Sequence, residues 1–407
     1  MSQRGLERNL KLYPWFSMVL EALFFAPVFF LLFSSKFPLE QVLQLEGIYY
    51  LAVVILEVPS GYFSDRLGRK PTLIISALCL ACSYLLFFTG TNFELFALAK
   101  VLMAAGFAFK SGTDASFHYD SHQSLGITGQ FGDAEARVAS LNLRAAGIAA
   151  LIGGFAGMYE LSLPFAFSAV GATIAAGLMA TCVEPTKSGE RSNVSFGKQL
   201  GNTLSQLRDC SLAWLLGVAV LSIVLVHVPY ELYQPYVDLL WHSNDTELNK
   251  SPIITGIHAF IVMLIGSWVA ARSMKFRRRF GLRKTFLLSL LLQNLLLLPA
   301  ALLLHPAVVF VLLFRNAPKG LYMAPLSEAV NERIPTNLRA TYLSVQSLAG
   351  RLAFASCLLA ISLVVGDGKT DWAALSLMAK IFFGVGTTGW MILLITARFA
   401  KERSPDL

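Results

Sequence analysis

Ionisable side chains embedded in long apolar runs are the residues of this chain that could do chemistry. Glu21 stands among Leu20, Ala22, Leu23, Phe24 and Phe25. Lys100, Lys110 and Asp114 interrupt a second run and Arg144 a third; the C-terminal part adds His227, Glu231, His258, Arg315, Lys319, Arg351 and Lys380. An ion in such surroundings is costly, so each needs a partner, a water-filled cavity or a permeating solute. A carboxyl group removed from water can shed its charge by binding a proton. Glu21 is therefore the candidate for proton coupling, with a structural pair to Arg144 or Lys110 as the alternative. Arg315 and Lys319 are spaced to share one helical face, and Pro318 between them would free backbone carbonyls beside a cavity. Together with Arg351 they offer a site to an anionic or zwitterionic solute. Tyr230, Tyr233 and Gln234 stand between Pro229 and Pro235 and give an amphipathic lining where the prolines should break a helix. Tyr236 reads as an anchor at the membrane interface.

The elements that hold these residues follow from composition. Of 407 residues 55% are hydrophobic and 14% charged, whereas soluble domains carry roughly 25% charged residues. The mean hydropathy is +0.60. An ordinary soluble enzyme is excluded, and the fold class expected is all-α and integral to a membrane. A spanning helix needs about 20 apolar residues, and the chain supplies runs at 12–34, 41–61, 71–90, 93–116, 138–158, 162–183, 209–231, 252–272, 284–304, 306–328, 341–365 and 373–397. Basic residues crowd alternate loops, which predicts that both termini are cytoplasmic. The same alternation explains the net charge of +8 without a nucleic-acid partner. The polar segment before the first run leads into a span too long for a cleavable signal sequence. The polar join 184–208 divides the chain into an N-terminal bundle, 1–183, and a C-terminal bundle, 209–407, of six helices each. Five cysteines lie in or beside apolar runs without accompanying histidines, so neither a metal site nor a redox pair is expected.

Between the second and third runs stands Gly61-Tyr62-Phe63-Ser64-Asp65-Arg66-Leu67-Gly68-Arg69-Lys70. An acid at the end of one helix can accept bonds from the N-terminus of a facing helix. Glycines at 61 and 68 permit close approach and a tight turn. The segment resembles the loop-2/3 signature of the major facilitator superfamily, G-x-x-x-D-R-x-G-R-[KR], matching at Gly61, Asp65, Arg66, Gly68, Arg69 and Lys70. A weaker copy, Arg279-Phe280-Gly281-Leu282-Arg283-Lys284, follows the eighth run without the Asp. The resemblance implies two six-helix bundles around a central cavity and transport by alternating access. It makes Asp65 and Arg69 the latch of a cytoplasmic gate, joined by Gly61, Arg66 and Gly68, with Glu57 and Asp114 placed near it. Lys110, Arg144, His227, Tyr230, Glu231, Tyr233, Gln234, His258, Arg315, Lys319 and Arg351 become candidates for the substrate cavity. Span 5 carries Gly147, Gly153, Gly154 and Gly157 but departs from the glycine motif of exporting members, since Gly154 stands where they have proline and Met158 where they have glycine.

No P-loop, HExxH or G-x-S-x-G occurs, so neither ATP-driven pumping nor an enzyme is expected. The mixed stretch His118, Asp120 and His122 reads as a solvated loop. The expected activity is proton-coupled antiport in a bacterial inner membrane, exporting a small amphipathic compound, by a monomer with no cofactor beyond the ion gradient. Import of an anionic solute such as an organic acid or siderophore is the rival, followed by lipid flipping or a non-transporting receptor.

Overall fold

A computed structural model describes residues 3–185, 194–241, 252–365 and 372–399, and among them every regular element is helical. The N-terminal part comprises α1 (Gln3–Leu20), α2 (Phe29–Lys36), α3 (Leu39–Leu67), α4 (Arg69–Thr89), α5 (Phe93–Lys110), α6 (Thr113–Ser124), α7 (Phe131–Gly157) and α8 (Leu163–Thr181). A linker helix, α9 (Phe196–Ser205), precedes α10 (Cys210–Trp241), α11 (Pro252–Ala270), α12 (Ser273–Phe280), α13 (Leu282–Leu295) and α14 (Leu297–Leu302). The chain ends with α15 (Pro306–Leu312), α16 (Ala317–Asn331), α17 (Arg339–Val365) and α18 (Trp372–Thr396).

Nine helical stretches among the described residues are long and apolar enough to cross a membrane. Three expected spans fall outside that set. The first, 12–34, is two helices: regular bonding stops at Glu21, whose N–H donates to the Ser17 carbonyl at 3.0 Å. Beyond it the Phe24 N–H turns to Ser168 Oγ on α8 at 3.1 Å, and Pro27 supplies no donor. The fourth carries Glu94, Lys100 and Lys110 within α5 and stops before Gly112. The eleventh, α17, has Ser344, Gln346, Ser347 and Arg351 in its middle. A further break, at 313–316, separates α15 from α16. Irregular backbone persists at membrane depth only where protein or a cavity satisfies it. All three breaks adjoin charges singled out above: Glu21, Lys110 with Asp114, and Arg315 with Lys319. The break expected at Pro229 and Pro235 is absent, because α10 runs unbroken through both.

Buried apolar side chains form two large clusters. One draws on residues from Tyr13 to Cys182, with Phe25, Phe33, Phe87, Phe96 and Phe165 packed ring against ring. The other draws on residues from Leu212 to Ala397. The two parts meet where α7 packs on α11 and α3 on α17. Small residues bring the first pair close: a Cβ at Gly154 would lie 2.8 Å from the Pro252 carbonyl oxygen. Such a seam is plain helix packing. Leu51, Ile55, Trp268, Phe310 and Ile395 point outward and exposed, as a hydrocarbon-facing surface requires.

Candidate functional site

The charged turn after α3 ties the two parts together. At Gly61, α3 approaches α17 so closely that a Cβ would stand 2.6 Å from Ser344 Oγ. Gly68 adopts φ 116°, a conformation that L side chains resist, and turns the chain from α3 into α4. Asp65 is thereby aimed at the first turn of α17. Its carboxylate accepts the N–H groups of Ala340 at 3.2 Å and Thr341 at 2.9 Å, and the Thr341 hydroxyl at 2.6 Å. Free N–H groups and the helix dipole both favour an anion there. Arg69 pairs with Asp65, donates to Asp120 at 3.1 Å and to the Thr336 carbonyl at 2.6 Å. Arg339, which opens α17, also pairs with Asp120. All four charged residues are buried. Arg66 is exposed and bonds the Tyr62 hydroxyl at 3.2 Å, so the structure leaves it outside this network. The second basic loop makes its own ties: Arg278 on α12 holds both Asp133 oxygens on α7, at 2.8 and 2.9 Å, and Arg277 pairs with Glu328.

Sequence reading missed Gln199. From α9 its buried Nε2 reaches Asp65 at 3.1 Å, the Asn337 carbonyl at 3.2 Å and Thr341 Oγ1 at 3.0 Å. Phe196 holds the same helix edge-on against Tyr62, with centroids 5.3 Å apart. The available signal was the apolar spacing of Phe196, Leu200 and Leu204 in an otherwise polar linker. Hydrogen bonds to charged groups contribute about 1.5–3 kcal/mol. Gln199→Ala should therefore lower the protection of residues 339–344 against amide hydrogen exchange by roughly tenfold, and Gln199→Glu, which adds a like charge beside Asp65, by more. Unchanged protection in both variants would remove α9 from the latch.

A second group of charges lies at the helix breaks. Glu21, at the end of α1, pairs with Lys110, the last residue of α5. Asp114, on α6, lies 3.9 Å from Lys110 and accepts the Ala115 N–H at 2.7 Å. Asp114 thus belongs with this cluster and not with the latch where the sequence placed it. Lys319, from α16 in the other part, is near enough for its charge to act on both Glu21 and Lys110. The Glu21 and Asp114 side chains retain 34% and 25% of their exposure, so the cluster borders open space. Glu57 stands apart from both groups. It lies about two helical turns before Asp65, is fully buried, and faces Arg351 on α17 at 3.9 Å.

Other candidates fall elsewhere. Arg144 donates to Ser267 Oγ at 2.9 Å across the α7–α11 seam and takes no part in holding Glu21. Arg315 occupies the turn before α16, so it does not share a helix with Lys319; its charge acts on buried His258. His227 Nδ1 donates to the Ile223 carbonyl at 2.7 Å and its ring lies 5.1 Å from that of Phe354. Tyr230, Glu231, Tyr233 and Gln234 stand on α10, but their side chains lie outside the described residues. Tyr236 is a core residue, not an interfacial anchor: it is 2% exposed and its hydroxyl donates to the Leu303 carbonyl at 2.7 Å. The stretch read as a solvated loop is helix α6, and His118, Asp120 and His122 are buried in it. His118 stacks on Tyr13 and lies 2.7 Å from Glu135 Oε2. Burial, with His118 beside it, holds His122 down to about 4. Asp120 pairs with Arg69 and Arg339, because α6 turns it toward the latch. Among the described residues no group of three or more His, Cys, Asp or Glu is placed to hold a metal.

Comparison with known proteins gives this arrangement a family. A sequence model described as Major Facilitator Superfamily matches residues 15–357. The chain belongs to the Major Facilitator Superfamily. It is a multi-pass membrane transporter of that family by sequence and by fold. The class H tetracycline resistance protein of Pasteurella multocida is 24% identical to it over 370 residues, covering 88% of this chain and 86% of that one. The human organic anion transporter MFSD10 (TETRAN) superposes with a TM-score of 0.71 at 16% identity, covering 95% of this chain and 99% of the other. FucP, solved in an outward conformation, gives 0.68 at 16% identity over 98% and 99% of the two chains. A bacterial homologue of the iron transporter ferroportin, in an outward-facing state, gives 0.67 at 16% identity over 97% and 99%. At these identities the structural likeness establishes the fold. The superfamily signature and the Asp65–α17 contact therefore describe one object, a loop whose sequence is known for the family and whose geometry here joins the two parts of the chain.

Proposed function

We propose that this superfamily member exports a small amphipathic compound in exchange for protons. It does so as a monomer in a bacterial inner membrane, with both termini in the cytoplasm and two six-helix bundles, 1–183 and 209–407, rocking about a central cavity. The observation that carries the reading is the Glu21–Lys110–Asp114 cluster at interrupted helices, on which the charge of Lys319 from the other part acts. Discontinuous helices at the membrane midplane commonly build substrate and ion sites in secondary transporters. Here substrate would engage the cluster while the basic end stands open, and Glu21 would bind a proton whenever Lys110 is drawn away. The Asp65 network ties the two parts together at the end bearing the basic loops, and in this reading the cavity opens at the other end. Uptake from the cytoplasm requires those bonds to break, and release at the far end requires them to re-form.

Charge balance supports an amphipathic cargo over an anion. Glu21 and Asp114 offset Lys110 and Lys319, and Glu57 faces Arg351. The cations that favoured an anion in the sequence are therefore largely matched by acids. The tetracycline resistance relative, weak as its identity is, agrees with export.

A ligand that binds the native state raises its melting temperature, by about 2.7 kcal/mol of stability at a hundredfold excess over Kd. Purified protein should be screened against lipophilic cations, neutral drugs, organic acids, siderophores and lysolipids. Stabilisation by drug-like compounds that is lost in Glu21→Gln is the expected result. Stabilisation confined to anions and lost in Arg315→Ala would replace export with anion transport.

A further inference from the structure

Glu57 is used by neither the latch nor the central cluster, yet its surroundings are unusual. Its side chain is 0% exposed, and neither carboxylate oxygen has a hydrogen-bond donor within reach. The cation facing it, the Arg351 guanidinium, lies 3.9 Å away on the other part of the chain, across the α3–α17 interface. Arg351 is 30% exposed and its charge also acts on the half-buried Tyr49. A buried carboxylate without hydrogen bonds is tolerable only while an opposite charge stays close. Any motion that parts α3 from α17 removes that charge.

We propose that Glu57 is a second proton-binding site, which holds Arg351 when ionised and releases it on taking a proton, so freeing α3 from α17. The inference rests on the proton-coupled reading and locates in that reading the step that unlocks the gate. The reaction is a simple proton transfer: a hydronium ion gives its proton to the Glu57 carboxylate, leaving water and a neutral acid. Arg351 keeps its charge and turns to the cavity. Glu57 is therefore charged while the basic end is closed and neutral as it opens, so proton entry from the open side favours opening at the closed side.

The surrounding charges leave this role to Glu57. On α10, His227, on which the Arg351 charge acts, is tied to the Ile223 carbonyl at 2.7 Å. On α5, Lys100 is committed to Glu46 at 2.6 Å, and Lys110 to Glu21 and Asp114. On α17, Arg339 is bound to Asp120 at the latch. On α3 itself, Asp65 is saturated by Arg69, Gln199 and the first turn of α17. On α4, Arg69 is taken up by Asp65 and Asp120. Tyr49 and Glu46, the latter 35% exposed, extend from Arg351 toward the start of α3, away from the latch.

The test is amide hydrogen exchange of the full-length protein in lipid nanodiscs, read on peptides covering 61–70 and 339–344 and corrected for intrinsic exchange. In the wild type, exchange from both segments should rise roughly tenfold from about pH 8 to about pH 6. Glu57→Gln should exchange fast at both pH values, with the pH response gone. Arg351→Gln, which leaves Glu57 without its cation, should lose the response as well. Glu21→Gln should keep it. Wild-type-like protection and pH response in Glu57→Gln would overturn the assignment. Should the response vanish in Glu21→Gln and survive in Glu57→Gln, Glu21 is the unlocking proton site, and the coupled reading stands without this inference. A wild type whose exchange ignores pH would overturn the assignment by itself, while transport driven by an imposed pH gradient would separately test the coupled reading.

Discussion

Asp65→Asn is expected to abolish transport and to leave the basic end unlatched. The substitution is nearly isosteric, but it removes the charge that two backbone N–H groups, a hydroxyl, Gln199 and Arg69 all address. Each charge-assisted bond contributes about 1.5–3 kcal/mol, and an amide can still accept with one oxygen. Losing half the set shifts the closed-to-open ratio by more than about a hundredfold, since 1.4 kcal/mol is tenfold. Arg69, Asp120 and Arg339 would also lose their alignment, because the two arginines share Asp120 and only Asp65 balances the second. Substrate counterflow in proteoliposomes measures transport, and hydrogen exchange at 339–344 reports the latch. Arg66→Ala is the matched control. It changes the net charge of the same loop, yet Arg66 is exposed and outside the network, so transport should fall by less than about twofold. Equal losses in the two variants would mean that the loop acts only through its positive charge as a topological anchor.

The contrast between these residues marks how far the sequence reaches. That Asp65 should meet a helix N-terminus was legible, because an acid in a basic loop opposes the charge bias and asks for a reason. Arg66 could not be separated from Arg69 by sequence, since both fit the signature and only the fold divides them, leaving Arg66 exposed near the end of α3 and turning Arg69 at the start of α4 onto Asp65. Nine of the twelve expected spans were legible from composition and the family from one loop. The breaks were less so. Pro27 was as visible as Pro229 and Pro235, yet the chain breaks near the first and not at the other two. A proline removes one backbone donor, and whether a helix gives way depends on partners that replace it, as Ser168 does for Phe24. His118, Asp120 and His122 read as solvated because their types are polar. Their burial follows from Tyr13, Phe131 and Arg339 closing over α6, contacts that no local pattern encodes. Gln199 was harder still: the apolar spacing of Phe196, Leu200 and Leu204 could have marked its helix, but nothing marks which amide on that helix will be enclosed.

The central cluster yields a prediction in which stability and transport part company. Glu21 and Lys110 sit where α1 and α5 end, and the pair draws the two helix breaks together. Removing one partner of a fully buried pair costs about 3–5 kcal/mol, because the other is left as an uncompensated charge. The Glu21 side chain is 34% exposed and Lys110 keeps Asp114 at 3.9 Å, so the loss in Glu21→Gln should be smaller, about 1–2 kcal/mol. Lys110→Met should cost more than Glu21→Gln, since it strands Glu21 and Asp114 side by side with Lys319 as their remaining cation. The double variant Glu21→Gln with Lys110→Met removes both charges at once and should recover most of the lost melting temperature. Transport should not recover: with neither the proposed proton acceptor nor its counter-cation, the double variant is expected to stay more than about tenfold below wild type. Melting temperature and counterflow on the same preparations decide the matter. Recovery of transport along with stability would make the pair a structural staple across the helix breaks and move the substrate site elsewhere. Recovery of stability alone assigns the pair to the transported species and its coupling proton, because a purely structural pair has nothing to lose once it is replaced by a neutral one of similar size.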